Sequence, residues 1–258
     1  MAAPVNGLKA ALAEGHLQIG LWLGMGSTVA AEIAAGAGFD WCLVDGEHAP
    51  YDITTIRDQL VAMAGRGAQP VVRVPVGKDW VIKQVLDLGV QSLLVPMVNS
   101  ADQAREMVRA TRYPPEGVRG VGAALARASD YSGVSDYTTT ANDQICLIVQ
   151  AESRAALDNL DAIAGVEGVD AVFIGPADLS ADMGFAGQPG APEVVAAIEN
   201  AIARIRKAGK AAGIITFDKA EIARYAGLGV TFLGVGGDST VLAAALRGLA
   251  GEARKAAR

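Results

Sequence analysis

Two carboxylates that each follow an apolar run of the sequence could together hold a metal ion. Glu152 closes the run at residues 145–150, and Asp178 follows the run at residues 169–174 across a Gly-Pro break, where a loop is predicted. Buried parallel strands of α/β enzymes end at the active site, so acids at such strand ends are expected to lie together. Two hard oxygen ligands without a nearby His or Cys cluster suit Mg²⁺ or Mn²⁺ completed by water and a chelating substrate. Helix capping is the competing interpretation, because each acid precedes a helix.

An imidazole and a guanidinium group accompany two other apolar runs. His48 follows the run at residues 41–44, three positions after Asp45, and Arg73 lies among valines at residues 70–75. An imidazole can act as a general base near neutral pH, although a histidine after a strand is more often a hydrogen-bonding loop residue. The planar fork of Arg73 suits a substrate carboxylate or an enolate oxygen, or else a structural carboxylate. Asp45 has two compatible interpretations, a helix N-cap or the ion-pair partner of Arg73.

Three further features are weaker indicators of chemistry. Gln150 lies two residues before Glu152 on the same strand face, where its amide could orient a ligand or a water. The Gly-rich segment 234–239 opens the last helix and could bind phosphate on free amides, or form a tight turn with Asp238 as N-cap. The two cysteines lie inside apolar runs and are expected to be reduced core thiols.

Helical segments alternate regularly with the apolar runs. The predicted strands lie at residues 17–25, 41–44, 70–75, 92–95, 145–150, 169–174, 212–216 and 230–235. The predicted helices lie at residues 8–13, 28–37, 53–64, 79–88, 101–112, 154–164, 192–208, 219–226 and 238–257. Loops as long as the irregular segment 113–142 tend to be functional. Eight strand–helix units indicate a parallel sheet closed into a (β/α)8 TIM barrel, one domain over residues 1–258, with a doubly wound open sheet as the alternative.

The composition excludes several classes of protein. The chain has 258 residues, of which 51% are hydrophobic, and a mean hydropathy of +0.29, yet no apolar run reaches the roughly 18 residues of a membrane span. The net charge is −6 and the basic residues are scattered, which argues against a nucleic-acid surface. The first residues lack the layout of a secretory signal, so a cytoplasmic location is expected.

The sequence resembles the HpcH/HpaI family of class II pyruvate aldolases over nearly its whole length. The motifs that carry this resemblance are Gly20-Leu-Trp22, Leu43-Val-Asp45-Gly-Glu47-His48, Val72-Arg73-Val-Pro75, Pro96-Met97, Pro114-Pro115-Glu116-Gly117-Val118-Arg119-Gly120, Gln150-Ala-Glu152 and Gly175-Pro176-Ala177-Asp178-Leu179-Ser180. The resemblance implies a TIM barrel of the phosphoenolpyruvate/pyruvate-domain type, often a hexamer in which the final helix packs on a neighbouring subunit. It also implies a divalent metal, Mg²⁺ or Mn²⁺ with Co²⁺ as a further option, held by Glu152 and Asp178 and supported by Gln150.

The same resemblance assigns roles to other residues. Arg73 would hold the pyruvyl oxygen and stabilise an enolate, and His48 would be the base, with Asp45 nearby and Asp87 as a carboxylate paired with the histidine. The residues expected to bind substrate are Trp22 and Phe217 around the aldehyde, and the main chain of Gly175, Pro176 and Ala177 around the substrate carboxylate. The implied partners are a 2-oxo acid, pyruvate or hydroxypyruvate, and an aldehyde.

Four alternative functions compete with this reaction. A Schiff-base aldolase needs a lysine on a barrel strand, and the seven lysines all fall in predicted helices or connections. A carbon–carbon lyase acting on a CoA ester would need a pyrophosphate anchor, for which only the scattered Arg119 and Arg127 are available. A phosphosugar isomerase or epimerase would use the Gly-rich segment. A non-catalytic binding barrel would tolerate loss of His48 and Arg73.

Overall fold

The computed structural model describes residues 1–258 and contains a closed barrel of eight parallel strands in chain order. The strands are β1 (Gln18–Leu23), β2 (Trp41–Asp45), β3 (Gln69–Arg73), β4 (Ser92–Val95), β5 (Cys146–Ala151), β6 (Ala171–Ile174), β7 (Ala211–Ile215) and β8 (Phe232–Gly237). β8 pairs with β1, which closes the barrel. The (β/α)8 prediction is therefore confirmed, and the open-sheet alternative is wrong.

Twelve α-helices accompany the strands. They are α1 (Gly7–Ala13), α2 (Thr28–Ala35), α3 (Ile53–Met63), α4 (Asp79–Asp87), α5 (Ala101–Thr111), α6 (Tyr137–Thr140), α7 (Arg154–Asp158), α8 (Leu160–Ala164), α9 (Pro176–Asp182), α10 (Pro192–Lys207), α11 (Glu221–Gly227) and α12 (Asp238–Ala256). No helix combines the length and the apolar character that a membrane crossing requires.

Most predicted elements end within two residues of their observed limits, and three predictions need correction. The helix predicted over residues 154–164 is interrupted at Asn159, whose backbone leaves the helical region. The segment around Asp178, predicted to be a loop, is helix α9. Pro176 is its first residue and its preset φ favours the helix start. The irregular segment 113–142 contains α6 and two 3₁₀ turns, with a third beginning at Asn142, and its own small apolar core includes Tyr113 and Tyr137.

The barrel interior is filled by large side chains facing small ones. Gly20 allows the Trp41 ring to cross the barrel, because a Cβ at Gly20 would lie 2.0 Å from that ring. Trp41 stacks on Phe232 at a centroid distance of 4.0 Å, and Leu8 and Leu12 of α1 join the same cluster. A larger cluster of 48 residues lies between the strands and the outer helices. The packed interior leaves the mouth at the carboxyl ends of the strands as the place for a site.

Candidate active site

The period of two along β2, β3 and β5 places three of the predicted site residues at the barrel mouth. Inward residues of β2, β3 and β5, among them Leu43, Val71 and Ile148, belong to the barrel interior. The next inward positions towards the carboxyl ends are polar. These polar residues are Asp45, Arg73 and Gln150, and Glu152 directly follows β5.

Arg73 is held by two carboxylates. Asp45 and Arg73 are paired across β2 and β3, and Nε of Arg73 donates to Oδ1 of Asp45 at 2.8 Å while Nη2 donates to Oδ2 at 2.5 Å. Nη1 lies 2.9 Å from Oε2 of Glu47. Asp45 takes two of the five N–H groups of the guanidinium, so others remain for a further partner. Asp45 is thus the ion-pair partner of Arg73, while the N-cap of α3 is Asp52.

His48 lies at the outer edge of this cluster. Its ring is largely exposed, and its Nε2 atom is 3.9 Å from Oε2 of Glu47. The turn before it is fixed by Asp45, whose Oδ1 accepts from the backbone N–H groups of Glu47 at 3.1 Å and His48 at 3.3 Å. Glu47 therefore connects the imidazole to Arg73. Burial raises the pKa of the Glu47 carboxyl, and the positive charge of Arg73 opposes that rise.

Glu152 is buried in a close-fitting polar cradle. Its Oε1 accepts from the backbone N–H of Met97 at 2.8 Å, and its Oε2 accepts from Nε2 of Gln150. Gly175 lies against both side chains, because a Cβ there would be 2.6 Å from Oε2 of Glu152 and 2.9 Å from Nε2 of Gln150. Glu152 is not a helix cap, since Ser153 caps α7. The capping interpretation of Glu152 is therefore wrong.

The electrostatics of this cradle suit a cation. Burial raises the pKa of the Glu152 carboxyl to about 7, and the negative charges of Asp178 and Glu47 contribute to the rise. Asp178 is exposed in the first turn of α9. Oε1 of Gln150 is buried without a hydrogen-bond partner. Hard oxygen atoms with one unpartnered amide oxygen fit Mg²⁺ or Mn²⁺ with its bound water. No group of three or more His, Cys, Asp or Glu residues forms a complete protein ligand set.

Asp87 does not contact His48 within the chain. It is the last residue of α4, and its Oδ1 accepts from Nη2 of Arg119 at 2.8 Å. Arg119 is fully buried and stacks on Tyr113, with 4.4 Å from Cζ to the ring centroid. A buried guanidinium needs a counter-charge, which Asp87 supplies to Arg119 within the chain, and the pairing of Asp87 with the histidine stays a prediction.

The predicted aldehyde residues lie in different surroundings. Trp22 is buried and packs against Phe173 at a centroid distance of 5.4 Å, with Cζ of Arg73 over its ring at 5.8 Å. Phe217 is 65% exposed. Together with Pro176 and Ala177 it lines a cavity of about 500 Å³ beside the mouth. Three of the residues predicted to face substrate, Pro176, Ala177 and Phe217, therefore share one cavity.

The Gly-rich end of β8 has a carboxylate where a phosphate could bind. Oδ1 of Asp238 accepts from the backbone N–H groups of Gly24 at 2.8 Å and Ser239 at 2.7 Å. Because these donors are already used, the geometry disfavours the phosphosugar alternative. The N-cap of α12 is Gly237 and not Asp238.

None of the seven lysines lies on a strand, in agreement with the prediction. Sequence reasoning gave no role to Glu47 or Met97, although both lie within motifs of the family resemblance. The position of Glu47 between Asp45 and His48, two predicted site residues, was the signal that could have indicated its role. For Met97 there was no signal, because its contact with Glu152 is made by the backbone.

Comparisons with known proteins find similar sequences and structures over most of the chain. A family model described as HpcH/HpaI aldolase/citrate lyase matches residues 18–245. The chain is 57% identical over 249 residues to a hydroxypyruvate/pyruvate aldolase of Agrobacterium fabrum (strain C58), covering 96% of this chain and 94% of that protein. It is 58% identical over 245 residues to a 4-hydroxy-2-oxo-heptane-1,7-dioate aldolase of Escherichia coli, covering 95% and 94%. The crystal structure of a protein from Burkholderia cenocepacia J2315 has a TM-score of 0.94 at 39% identity, covering 97% of this chain and 100% of that chain.

Proposed function

The chain belongs to the HpcH/HpaI aldolase/citrate lyase family, and from this membership we propose that it is a divalent-metal-dependent aldolase. It reversibly cleaves 4-hydroxy-2-oxo acids to pyruvate or hydroxypyruvate and an aldehyde. Relatives named as aldolases at 57% and 58% identity support this reaction. The structural observation that carries the proposal is a fixed guanidinium, Arg73, next to the acid cluster of Glu47 and Glu152 at one barrel mouth.

Glu152 and Asp178 are the proposed protein ligands of the metal, and Gln150 supports them. The metal, Mg²⁺ or Mn²⁺, would withdraw electron density from a chelated 2-oxo acid and so acidify the carbon next to the keto group. The cradle from Met97, Gln150 and Gly175 keeps the Glu152 carboxylate in one orientation.

Arg73 and His48 carry the proposed proton and charge movements. In the cleavage direction His48 takes the proton of the 4-hydroxyl group, the bond between C3 and C4 breaks, and its electrons pass to the C2–C3 bond and the keto oxygen. The N–H groups of Arg73 that are not bonded to Asp45 donate to that oxygen as its negative charge develops. The enolate is then protonated at C3 to give the 2-oxo acid. Asp45 and Glu47 hold Arg73 in place, so little reorganisation accompanies the charge.

The remaining assignments concern the substrate and the assembly. Trp22 and Phe217 are the proposed boundaries of the aldehyde site, and the main chain of Gly175, Pro176 and Ala177 borders the substrate carboxylate, with no donor from Pro176. A homo-oligomer, a hexamer by family, is supported by α12, which has no buried residue and exposes Val241, Leu242, Leu246 and Leu249. Light scattering of the purified protein tests that assembly.

Proton exchange at the methyl group of pyruvate tests the reaction without a choice of aldehyde. The protein is stripped of metal, Mg²⁺ or Mn²⁺ is added, and loss of the methyl signal is followed by NMR in D₂O. Exchange that requires metal and disappears in Arg73→Ala and Glu152→Ala is the expected result. Absence of exchange with both pyruvate and hydroxypyruvate, on folded metal-loaded protein, would reject the proposal.

A further inference from the structure

Asp238 joins the first and last strands where the barrel closes. It is the first residue of α12, directly after β8. Its Oδ1 accepts from the N–H of Gly24 at 2.8 Å and its Oδ2 from the N–H of Met25 at 3.3 Å. Both donors belong to the turn between β1 and α2, more than 200 residues earlier in the chain. A role in the first turn of α12 alone would need only the local bond to Ser239, so the two long-range bonds have another consequence.

The turn held by Asp238 continues from Trp22. β1 and β8 pair at Trp22 and Gly237 after a register shift between Gly20 and Trp22, so their regular pairing is interrupted next to this residue. The indole packs closely on β8, because a Cβ at Gly234 would lie 2.9 Å from its ring. The Asp238 carboxylate thus fixes the backbone beyond Trp22 where the strand pairing is irregular.

A second residue holds the far side of the same turn. The hydroxyl of Tyr51 accepts from the N–H of Gly26 at 2.8 Å and donates to the carbonyl of Leu23 at 2.9 Å. Loss of the Asp238 carboxylate would therefore free one side of the turn while Tyr51 keeps the other in place. Removal of the Asp238 carboxylate is therefore expected to change the turn locally and to leave the fold intact.

We propose that Asp238 is a positioning residue: its carboxylate holds the turn at Gly24 and Met25 and thereby sets the Trp22 indole at the aldehyde side of the site. The proposal rests on the proposed aldolase function. Trp22 lies beside Arg73 but takes no part in holding the metal or in moving the proton. Displacement of Trp22 therefore changes aldehyde binding more than formation of the enolate.

The chain offers a matched control for this role. Asp79 is also the first residue of a helix, and its Oδ1 accepts from the N–H of the next residue, Trp80, at 2.7 Å. The equivalent local bond of Asp238, to Ser239, is also 2.7 Å. Asp79 makes no bond to a distant turn, so Asp79→Asn removes the local contribution alone.

The kinetic test separates binding of the aldehyde from formation of the enolate. In Asp238→Asn we expect KM for the aldehyde to rise about tenfold, as for loss of one charge-assisted hydrogen bond, while metal-dependent methyl exchange of pyruvate stays within about twofold of wild type. Asp79→Asn should leave both unchanged. Three results would overturn the positioning role. Asp238→Asn could lose aldehyde binding and methyl exchange to the same extent, or it could lose neither. Asp79→Asn could also show the same rise in KM for the aldehyde.

A rescue experiment tests the carboxylate itself. Asp238→Gly leaves the N–H groups of Gly24, Met25 and Ser239 without their acceptor, and added formate can take its place. Formate should restore a low KM for the aldehyde in Asp238→Gly and have no effect on Asp79→Gly. A rise in KM that formate does not reverse would argue for a general packing defect and against the proposal.

One measurement does not depend on the reaction. Amide hydrogen exchange of Gly24 and Met25, whose N–H groups donate to Asp238, should be about tenfold faster in Asp238→Asn than in wild type, because a bond that closes the turn is lost. It should be unchanged in Asp79→Asn. If wild type shows no methyl exchange of pyruvate, the proposed function fails. If amide hydrogen exchange of the turn is the same in Asp238→Asn and wild type, the proposal that Asp238 holds the turn fails separately.

Discussion

Arg73 meets Asp45 edge to edge, with Nε and Nη2 donating to the two oxygens of one carboxylate at 2.8 and 2.5 Å. The two residues are register partners on β2 and β3, so the strand pairing itself sets this geometry. Glu47 adds a third contact at Nη1. The remaining N–H groups can therefore point in only a few directions, which is the condition for electrostatic preorganisation.

Arg73→Lys is expected to lower kcat of the aldol reaction by roughly a hundredfold, because an ammonium group keeps the charge but loses the planar two-point contact. KM for pyruvate should change much less. The control is Arg57→Lys, whose Nε and Nη2 both donate to Asp58 at the surface. Steady-state kinetics, with circular dichroism to verify folding, provides the measurement. An unchanged kcat in Arg73→Lys would contradict the assigned role.

Glu152 should make the stability of the metal-free protein depend on pH. Burial raises its pKa in the folded state from an ordinary value of 4.5 to about 7, so between these values the folded protein binds more protons than the unfolded chain. The free energy of unfolding should therefore fall as the pH rises from about 4.5 to about 7, by up to a few kcal/mol, and then level off.

The measurement is thermal unfolding across this pH range for wild type and Glu152→Gln, each with and without Mn²⁺. Glu152→Gln should lose this pH-dependent component and be more stable than wild type when metal-free at pH 8. It should gain less stability from Mn²⁺, because a neutral amide is a weaker ligand. A wild-type curve parallel to that of Glu152→Gln would show that Glu152 titrates normally.

The strands and the positions of the main polar residues could be predicted because both depend on short-range patterns. Apolar runs bounded by Gly, Pro or charged residues indicated β2 and β5, and the period of two related Gln150 to Glu152. Alternation with helices then placed the strand ends at one mouth. These inferences needed no knowledge of which side chains meet across the fold.

Contacts set by tertiary structure could not be predicted in this way. The bond from Met97 to Glu152 uses a backbone N–H, and the bond from Asp238 to Gly24 depends on barrel closure. Within the chain Asp87 pairs with Arg119, a buried arginine far along the sequence, a contact that no local pattern indicates, while its pairing with the histidine stays a prediction. The position of Asp178 in a helix was missed because helix α9 is too short for an apolar period to identify it.

Gly175→Ala is expected to weaken metal binding at least tenfold without unfolding the protein. The added methyl group would lie 2.6 Å from Oε2 of Glu152, so the carboxylate must move away from its present position. Gly190→Ala is the control, since a Cβ there would have no atom within 4 Å. Titration calorimetry with Mn²⁺ compares the two variants, and equal affinities would show that the cradle does not constrain Glu152.

Met97 should tolerate glycine better than valine because its backbone has a φ of 56°. This left-handed conformation directs its N–H to Oε1 of Glu152 at 2.8 Å, and a β-branched side chain resists it most strongly. We expect Met97→Val to lose roughly 1–3 kcal/mol of unfolding free energy and to bind Mn²⁺ more weakly than Met97→Gly. Denaturant unfolding and Mn²⁺ titration measure the two effects. The exposed side chain itself makes little contribution, so Met97→Leu is the control. If Met97→Val matched Met97→Leu in both measurements, the backbone conformation of Met97 would have no part in orienting Glu152.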